Sequence, residues 1–381
     1  MRGSIVKRGE KYSIVIYLGK NEFGKPIQKW FSGYSTKKEA ERDLPRLLVK
    51  IQDGDLIEKN KITFKSFVEE WLKNKIKKDD LSPTTIDGYE NIVYNHLIPV
   101  LGALKIQDIK PYSIQKYVDQ KSDTLSPKTL NNHKRVLSSI FIYATDMEVI
   151  EKNPMQKVKF PREKSTEVVP YDLNECIQLL DLIQDNITLS MPVTLSMLLG
   201  LRRGECLGLR WSDIDFKNNR ISINQNLEYV KGVYYFKEPK TKKSKRTLTA
   251  PQVLMDYLKE RQKWQKEMVL RTGGNWKNEY DLVCTRKDGQ PITPHVLSDM
   301  FRVFLQKNGL KKIKFHDLRH TNATLMIGSG VNTRVAMQRL GHSKVSITLG
   351  LYSHVLEEMD RDAADRFDDM FKSNNKKLAK K

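Results

Sequence analysis

FHDLRHTNATLMIGSGVNTRVAMQRLGHSKVSITLGLYSH, residues 315–354, is the most informative stretch of this chain. His316 and Arg319 lie three apart, a spacing that puts both on one face of a helix. His342 follows 23 residues after Arg319, and Tyr352 ten residues after His342. Alone, the His316/Arg319 pair reads as a helix-end hydrogen-bonding arrangement more readily than as a site. Two further segments change its weight. LLGLRRGECLGLRW, residues 198–211, places Arg202 after a helix-like apolar run with Glu205 three residues later, able to meet it on one helical face. By itself that is an ordinary surface ion pair. KEPKTKKSKRTL, residues 237–248, sets Lys237, Lys240, Lys242, Lys243, Lys245 and Arg246 against a single acid, Glu238. Pro239 and the polar run predict a β-turn between a strand ending near Phe236 and another starting near Arg246, so that the lysines ride on a hairpin tip. A solvated basic loop is the plain reading. The functional one is a lysine delivered to a phosphate as a proton donor.

The whole chain shares this basic bias. Of its 381 residues, 67 are Lys or Arg and 46 Asp or Glu, a formal charge of +21, which calls for a polyanionic partner such as nucleic acid; a basic membrane-surface protein has the same composition. No run approaches the roughly 18 apolar residues that a spanning helix needs. The N-terminal MRGSIVKRGEKYSIVIYLGK breaks its apolar residues with Lys and Glu and lacks a small-residue cleavage site, so it does not read as a signal peptide. The expectation is a cytoplasmic protein associated with the nucleoid. Cys176, Cys206 and Cys284 are odd in number and far apart, which supports neither a disulfide framework nor a zinc ligand set; they read as small buried apolar residues.

Three domains are expected, at residues 1–60, 61–160 and 161–381. In the first, Lys11 to Leu18 and Ile27 to Tyr34 alternate as strands around a turn at Gly24, and Ser35-Thr36-Lys37-Lys38-Glu39 resembles a helix start. From Ile62 the period becomes helical, with Phe64, Phe67, Val68, Trp71 and Leu72 at i, i+3, i+4, i+7 and i+8. Ser82-Pro83 and Ser126-Pro127 each open a helix, the serine capping free amides and the proline taking the first helical position. Glu151 to Glu167 has two prolines, strong charge and no periodic apolar face, which marks a linker. Beyond it, helical patterns at Leu173 to Ile183, Pro251 to Trp264 and Pro294 to Leu305 surround strand-like pieces at Arg220 to Ile223 and Tyr234 to Phe236. This predicts a mostly helical domain with a small sheet.

In order, the Arg of G-L-R-x-G-E, a Lys on a β-hairpin, H-x-x-R, L-G-H and the Tyr of Y-S-H resemble the tyrosine recombinase (lambda-type integrase) family. The resemblance implies a multidomain protein. Its plan is a small α+β N-terminal domain binding arm-type DNA sites, an all-α core-binding domain and a mostly α (α+β) catalytic domain. It further implies that Arg202, Lys240, His316, Arg319 and His342 form the activating pocket and that Tyr352 is the nucleophile. Gly-Leu-Arg occurs twice, ending at Arg202 and Arg210, and only the first is followed by Gly204-Glu205. Lys240 fits the family's P-K-T form, with Lys242 and Lys243 close by. Leu199 stands where relatives often have Thr.

These residue types suit cleavage of a phosphodiester. Two guanidiniums match nonbridging oxygens bidentately and meet charge that builds in the transition state. Phenolate at pH 7 costs about 4 kcal/mol, which a base or nearby cations must offset; His316 and the arginines are placed for this. Lys240 would protonate the departing 5′ oxygen, and His342 would bond the phosphate or position the tyrosine. Attack by Tyr352 would give a 3′-phosphotyrosyl link that keeps the ester's energy, so neither ATP nor a metal or other cofactor is called for. The expected partners are double-stranded DNA with core and arm-type sites, three further copies of the chain in a synaptic tetramer, and host bending or excision factors. Residues 356–371, LEEMDRDAADRFDDMF, carry seven acids and a helical apolar pattern, read as a helix that docks on a neighbouring protomer, before a basic tail, NNKKLAKK. Alternatives with related chemistry are an Xer-like resolvase and a type IB topoisomerase-like relaxing activity; one without it is a DNA-binding regulator.

Overall fold

The computed structural model describes residues 2–52, 60–163, 169–238, 245–273 and 275–341. The chain divides into two compact units, Met1–Lys164 and Ser165–Lys381.

The first unit opens with an antiparallel sheet in the order β1 (Arg2–Arg8), β2 (Lys11–Lys20), β3 (Pro26–Tyr34). The alternation of β2 turns Ile14 and Ile16 onto helix α1 (Lys37–Gln52), where they meet Ala40 and, partly buried, Leu44, Leu47 and Leu48. The helix start reads as expected. Thr36 Oγ1 accepts from the Glu39 amide at 3.2 Å, and a Glu39 carboxylate oxygen accepts from the Ser35 amide at 3.1 Å. Strand β1 is an addition to the sequence reading: RGSIVKR has too few apolar residues to declare itself, and it joins the sheet by pairing, Ile5 opposite Ile14.

Helices α2 (Phe64–Lys78), α3 (Pro83–Ile92), α4 (Ile98–Leu101), α5 (Pro111–Ser122) and α6 (Pro127–Asp146) make up the rest of this unit. The Ser82 and Ser126 side chains accept from the Thr85 and Thr129 amides, each at the head of a helix with proline in its first turn. The five apolar residues that announced α2 are all buried, packed with Leu97, Tyr117, Leu137 and Phe141. Between α3 and α4 the chain makes a π turn, Val93–Leu97, beside Pro99, whose missing N–H breaks the α ladder. That turn sets the His96 ring 4.8 Å from His133, which is itself 1% exposed and shares a 2.7 Å hydrogen bond with the Tyr117 hydroxyl.

In the second unit α7 (Leu173–Ile183) and α8 (Ser190–Leu199) lead into α9 (Arg203–Gly208). Helix α8 is apolar around most of its circumference, from Met191 to Leu199, so it lies at the centre with α7, α9, α10 (Gln252–Arg271) and α12 (Asp317–Gly328) against it. Leu199 is in this core, 1% exposed. Helices α11 (Pro294–Lys307) and α13 (Thr333–Leu340) are the other α-helices of this unit among the described residues, and Phe301 of α11 packs edge-on to Phe315. Cys176, Cys206 and Cys284 are free and buried.

The strands correct one expectation. A short β4 (Ile214–Asp215) precedes β5 (Arg220–Ile223) and β6 (Asn226–Val230), which turns at Lys231-Gly232 into β7 (Val233–Lys237). Strand β8 (Arg246–Thr249) does not pair with β7: it pairs with β5, Arg246 opposite Ile223, whereas Lys237 of β7 lies opposite Asn226 of β6. The strands on either side of residues 239–244, which lie outside the described residues, therefore do not pair with each other as a hairpin, and the β6–β7 hairpin turns instead at the positive-φ pair Lys231-Gly232. Among the described residues no helix is long and apolar enough to cross a membrane.

Candidate active site

Helix α8 ends at Gly200, whose φ of 66° and ψ of 29° are left-handed. A Cβ there would stand 2.3 Å from Leu340 Cδ2 and 2.7 Å from Asn322 Oδ1, so only glycine makes this turn. After Leu201, 0% exposed, Arg202 heads α9 and Glu205 reaches back, its Oε2 accepting from the Arg202 amide at 2.9 Å. Gly204 faces β6, where a Cβ would meet Asn226 Oδ1 at 2.0 Å and the Leu227 carbonyl oxygen at 2.9 Å. Each glycine of G-L-R-x-G-E thus answers to close packing.

Glu205 is not half of a surface ion pair. It is 4% exposed and takes four hydrogen bonds, two on each oxygen. Oε1 accepts from Arg202 Nη1 at 2.8 Å and Arg246 Nη1 at 3.1 Å; Oε2 accepts from the Arg202 amide at 2.9 Å and Arg246 Nη2 at 2.9 Å. Four is the full acceptor capacity of a carboxylate. Burial by itself would raise its pKa, but the Arg246 bonds and charge, followed by those of Arg202, hold it at about 2.

Three arginines from three elements converge on the end of α13. Arg246 Nε donates to the Arg339 carbonyl at 2.8 Å, Arg319 Nη2 to that of Leu340, and Arg202 Nη2 to that of Gly341 at 3.1 Å. The last carbonyls of a helix lack partners within it and carry its negative end, which suits cations. Gly341, φ 68°, turns the chain away there. Arg319 also donates through Nη1 to the Gly200 carbonyl, tying the start of the first motif to the second. The two guanidiniums differ in access: the Arg202 side chain is 36% exposed, whereas Arg319 is 1% exposed. Among the described residues Arg202 spends two of its five side-chain N–H groups, leaving three for a ligand.

His316 stands at the head of α12, its carbonyl accepting from the Arg319 amide at 3.2 Å. Its residue surface is open on one side, yet its ring is crowded, with His320 edge-on at 5.1 Å. Desolvation first, then His320 and the Arg319 and Arg202 charges, outweigh Asp317 and bring its pKa from 6.5 to about 4. At neutral pH it is an uncharged imidazole, able to accept a proton or a hydrogen bond. His320 is lowered too, by burial first, and its Nδ1 is buried without a hydrogen-bond partner among the described residues.

Arg202, His316 and Arg319 are thus brought together. Lys240, His342 and Tyr352, with the acidic segment 356–371, lie outside the described residues. Arg210, the second Gly-Leu-Arg, is elsewhere and forks Asp213 through Nε and Nη2, each at 3.0 Å. The sequence reading missed Arg246 and His320. For Arg246 a signal existed: R-T-L-T alternates, so the arginine shares a face with Leu248, 4% exposed, and must point inward. For His320 it was the four-residue step from His316.

Comparison with known proteins accords with this geometry. Residues 172–359 match the Phage integrase family, residues 63–122 the phage integrase N-terminal SAM-like domain and residues 4–51 the Arm DNA-binding domain. A "Tyrosine recombinase XerC-like" protein of Caldanaerobacter subterraneus subsp. tengcongensis is 32% identical, covering 96% of this chain and 98% of its own. The ICEBs1 integrase of Bacillus subtilis is 27% identical over 88% of this chain and 91% of its own. Among solved structures, the Tn1549 transposon integrase in complex with transposon right end DNA superposes with a TM-score of 0.66 at 24% identity, covering 79% of this chain and 98% of its own. A lambda integrase dimer bound to a core site gives 0.59 at 15% identity, covering 91% and 94%.

Proposed function

Because the chain belongs to the phage integrase family of tyrosine recombinases, we propose that it is a site-specific integrase that cuts and rejoins DNA for the integration and excision of a mobile element. The observation that carries this reading is the meeting of Arg202 and Arg319 on the last carbonyls of α13, from which the chain runs on to His342 and Tyr352, with a neutral His316 close enough to both arginines to feel their charge.

In this reading Arg202 and Arg319 neutralise the scissile phosphate, Arg202 through its exposed N–H groups. Tyr352 Oη attacks phosphorus and the bond from phosphorus to the 5′ oxygen breaks. The phenol proton passes toward His316, which accepts it as a neutral imidazole, and Lys240 gives a proton to the departing oxygen. His342 bonds the phosphate or aligns the tyrosine. The 3′-phosphotyrosyl link then accepts a 5′ hydroxyl from a partner strand, reversing each transfer. Residues 1–60 bind arm-type sites, 61–160 core sites, and 161–381 carry the chemistry. The lambda integrase solved as a tetramer bound to a Holliday junction supports a synaptic tetramer here, and host bending or excision factors would assist it.

The test is a nicked suicide duplex built on the junction recovered by sequencing the element that carries the gene. A covalent protein–DNA adduct that disappears in Tyr352→Phe, with binding retained, is the expected result. Binding without an adduct from the unaltered chain would leave a DNA-binding regulator instead.

A further inference from the structure

Arg246 came out of the sequence as one cation in a basic run, and the fold puts it to a different use. Its side chain is 7% exposed, turned inward by the alternation of β8, and nearly as buried as the carboxylate it holds. It fills two of the four acceptor positions of Glu205, and Arg202 fills the other two. Its Nε bonds the Arg339 carbonyl, and a Cβ on Gly341 would lie 3.4 Å from its Nη1, so it also supports the end of α13.

We propose that Arg246 is a positioning residue for strand cleavage, acting through Glu205 on Arg202 and through the Arg339 carbonyl on the end of α13. The proposal rests on the recombinase reading above. Two physical effects carry it. With Arg246 in place, Glu205 has no vacant acceptor, so it holds Arg202 by one side-chain N–H; with a second on the Gly341 carbonyl, three remain for phosphate. Without it, the half-empty buried carboxylate draws the Arg202 fork onto itself. The charge changes in the same sense: two guanidiniums and one carboxylate sum to +1, and losing Arg246 brings the group to zero beside an anionic substrate.

Full-length chain and the suicide duplex described above test this. Arg246→Lys keeps the charge but loses the fork, and Arg246→Gln keeps amide donors but loses the charge; running both guards against one failing to fold. Each should slow single-turnover adduct formation by about 100-fold, the scale of an ångström's misplacement, in protein still folded at the assay temperature and with duplex affinity little changed; the melting temperature falls as well, because the buried Glu205 loses a partner. Because both routes end on Arg202, whose Nη2 bonds the Gly341 carbonyl at that helix end, Arg202→Lys/Arg246→Lys should be scarcely slower than Arg202→Lys alone. Either wild-type trapping by both Arg246 variants or losses that multiply in the double variant overturns the proposal. So does a loss of duplex affinity that matches the fall in rate in variants still folded at the assay temperature. If the unaltered chain forms no adduct, the recombinase reading fails first and this inference with it.

Discussion

Arg202 and Arg319, 117 residues apart in the chain, donate to adjacent carbonyls, those of Gly341 and Leu340. A helix end that ordinarily faces water is here held by the two groups proposed to hold a phosphate. Anything that moves α13 therefore moves the presentation of Arg202, and the following expectations start from that coupling.

Glu205→Ala should destabilise the second unit severely. It removes the one carboxylate between Arg202 and Arg246 and leaves a buried guanidinium without its counter-charge, a loss of about 3–5 kcal/mol in cases of this kind. Urea denaturation at neutral pH reads it. A loss under about 1 kcal/mol would mean that Arg246 finds water or another acceptor.

Gly200→Ala combines a left-handed backbone with a Cβ 2.3 Å from Leu340 Cδ2. We expect a cost of about 1–3 kcal/mol and slower adduct formation, since the strain falls on the same helix end. Alanine tolerated with unchanged melting temperature and rate would contradict the close approach.

The pH profile of cleavage should show His316 as a low-pH limb. Its pKa is depressed to about 4, so its neutral form persists from pH 8 down to about 5, and activity that needs this form falls only as pH drops through about 4. A limb near 6.5 in single-turnover rates would mean that the imidazole is solvated and unperturbed.

His133 makes an acid-sensitive point in the helical core of the first unit. Burial first, then His96 and Lys121, lower its pKa to about 4, below the ordinary 6.5 of the unfolded chain. Between those values the unfolded state binds more protons, so the associated stability is complete above about pH 6.5 and is lost as pH falls toward 4. His96, depressed in the same direction by burial and Lys121, adds to the effect. Denaturation midpoints at pH 7 and 5 should differ in the unaltered chain and differ less in His133→Gln.

Arg210→Lys serves as the contrasting substitution. Arg210 forks Asp213 away from the arginine cluster, so its loss should reduce stability modestly and leave the rate of adduct formation alone. A rate defect as large as that of Arg202→Lys would exchange the assignments of the two Gly-Leu-Arg motifs.

Much of this was legible without coordinates wherever a signal is local. The 3.6-residue stripe of α2, the Ser-Pro heads of α3 and α6, and the pairing of Gly200 with Glu205 in one short motif all concern residues within a few positions of each other. Strand pairing is another matter. The basic run between Phe236 and Arg246 looks like a hairpin because a proline and polar residues sit between two strand-like pieces, yet β7 pairs with β6 and β8 with β5. A strand's partner is chosen by register and by which face is buried, and neither is written in the intervening loop.

The types and order of the chemical groups, the helical and strand periods and the excess of positive charge follow from the chain's own succession of side chains, because each depends on composition or short spacing. That Glu205 is buried and saturated by two arginines, that Arg246 faces inward beside the pocket, and that three guanidiniums end on the carbonyls of Arg339, Leu340 and Gly341 depended on folding. Those contacts join segments as much as 139 residues apart, and hydrogen-bond geometry at 3 Å is set only when packing has closed those distances.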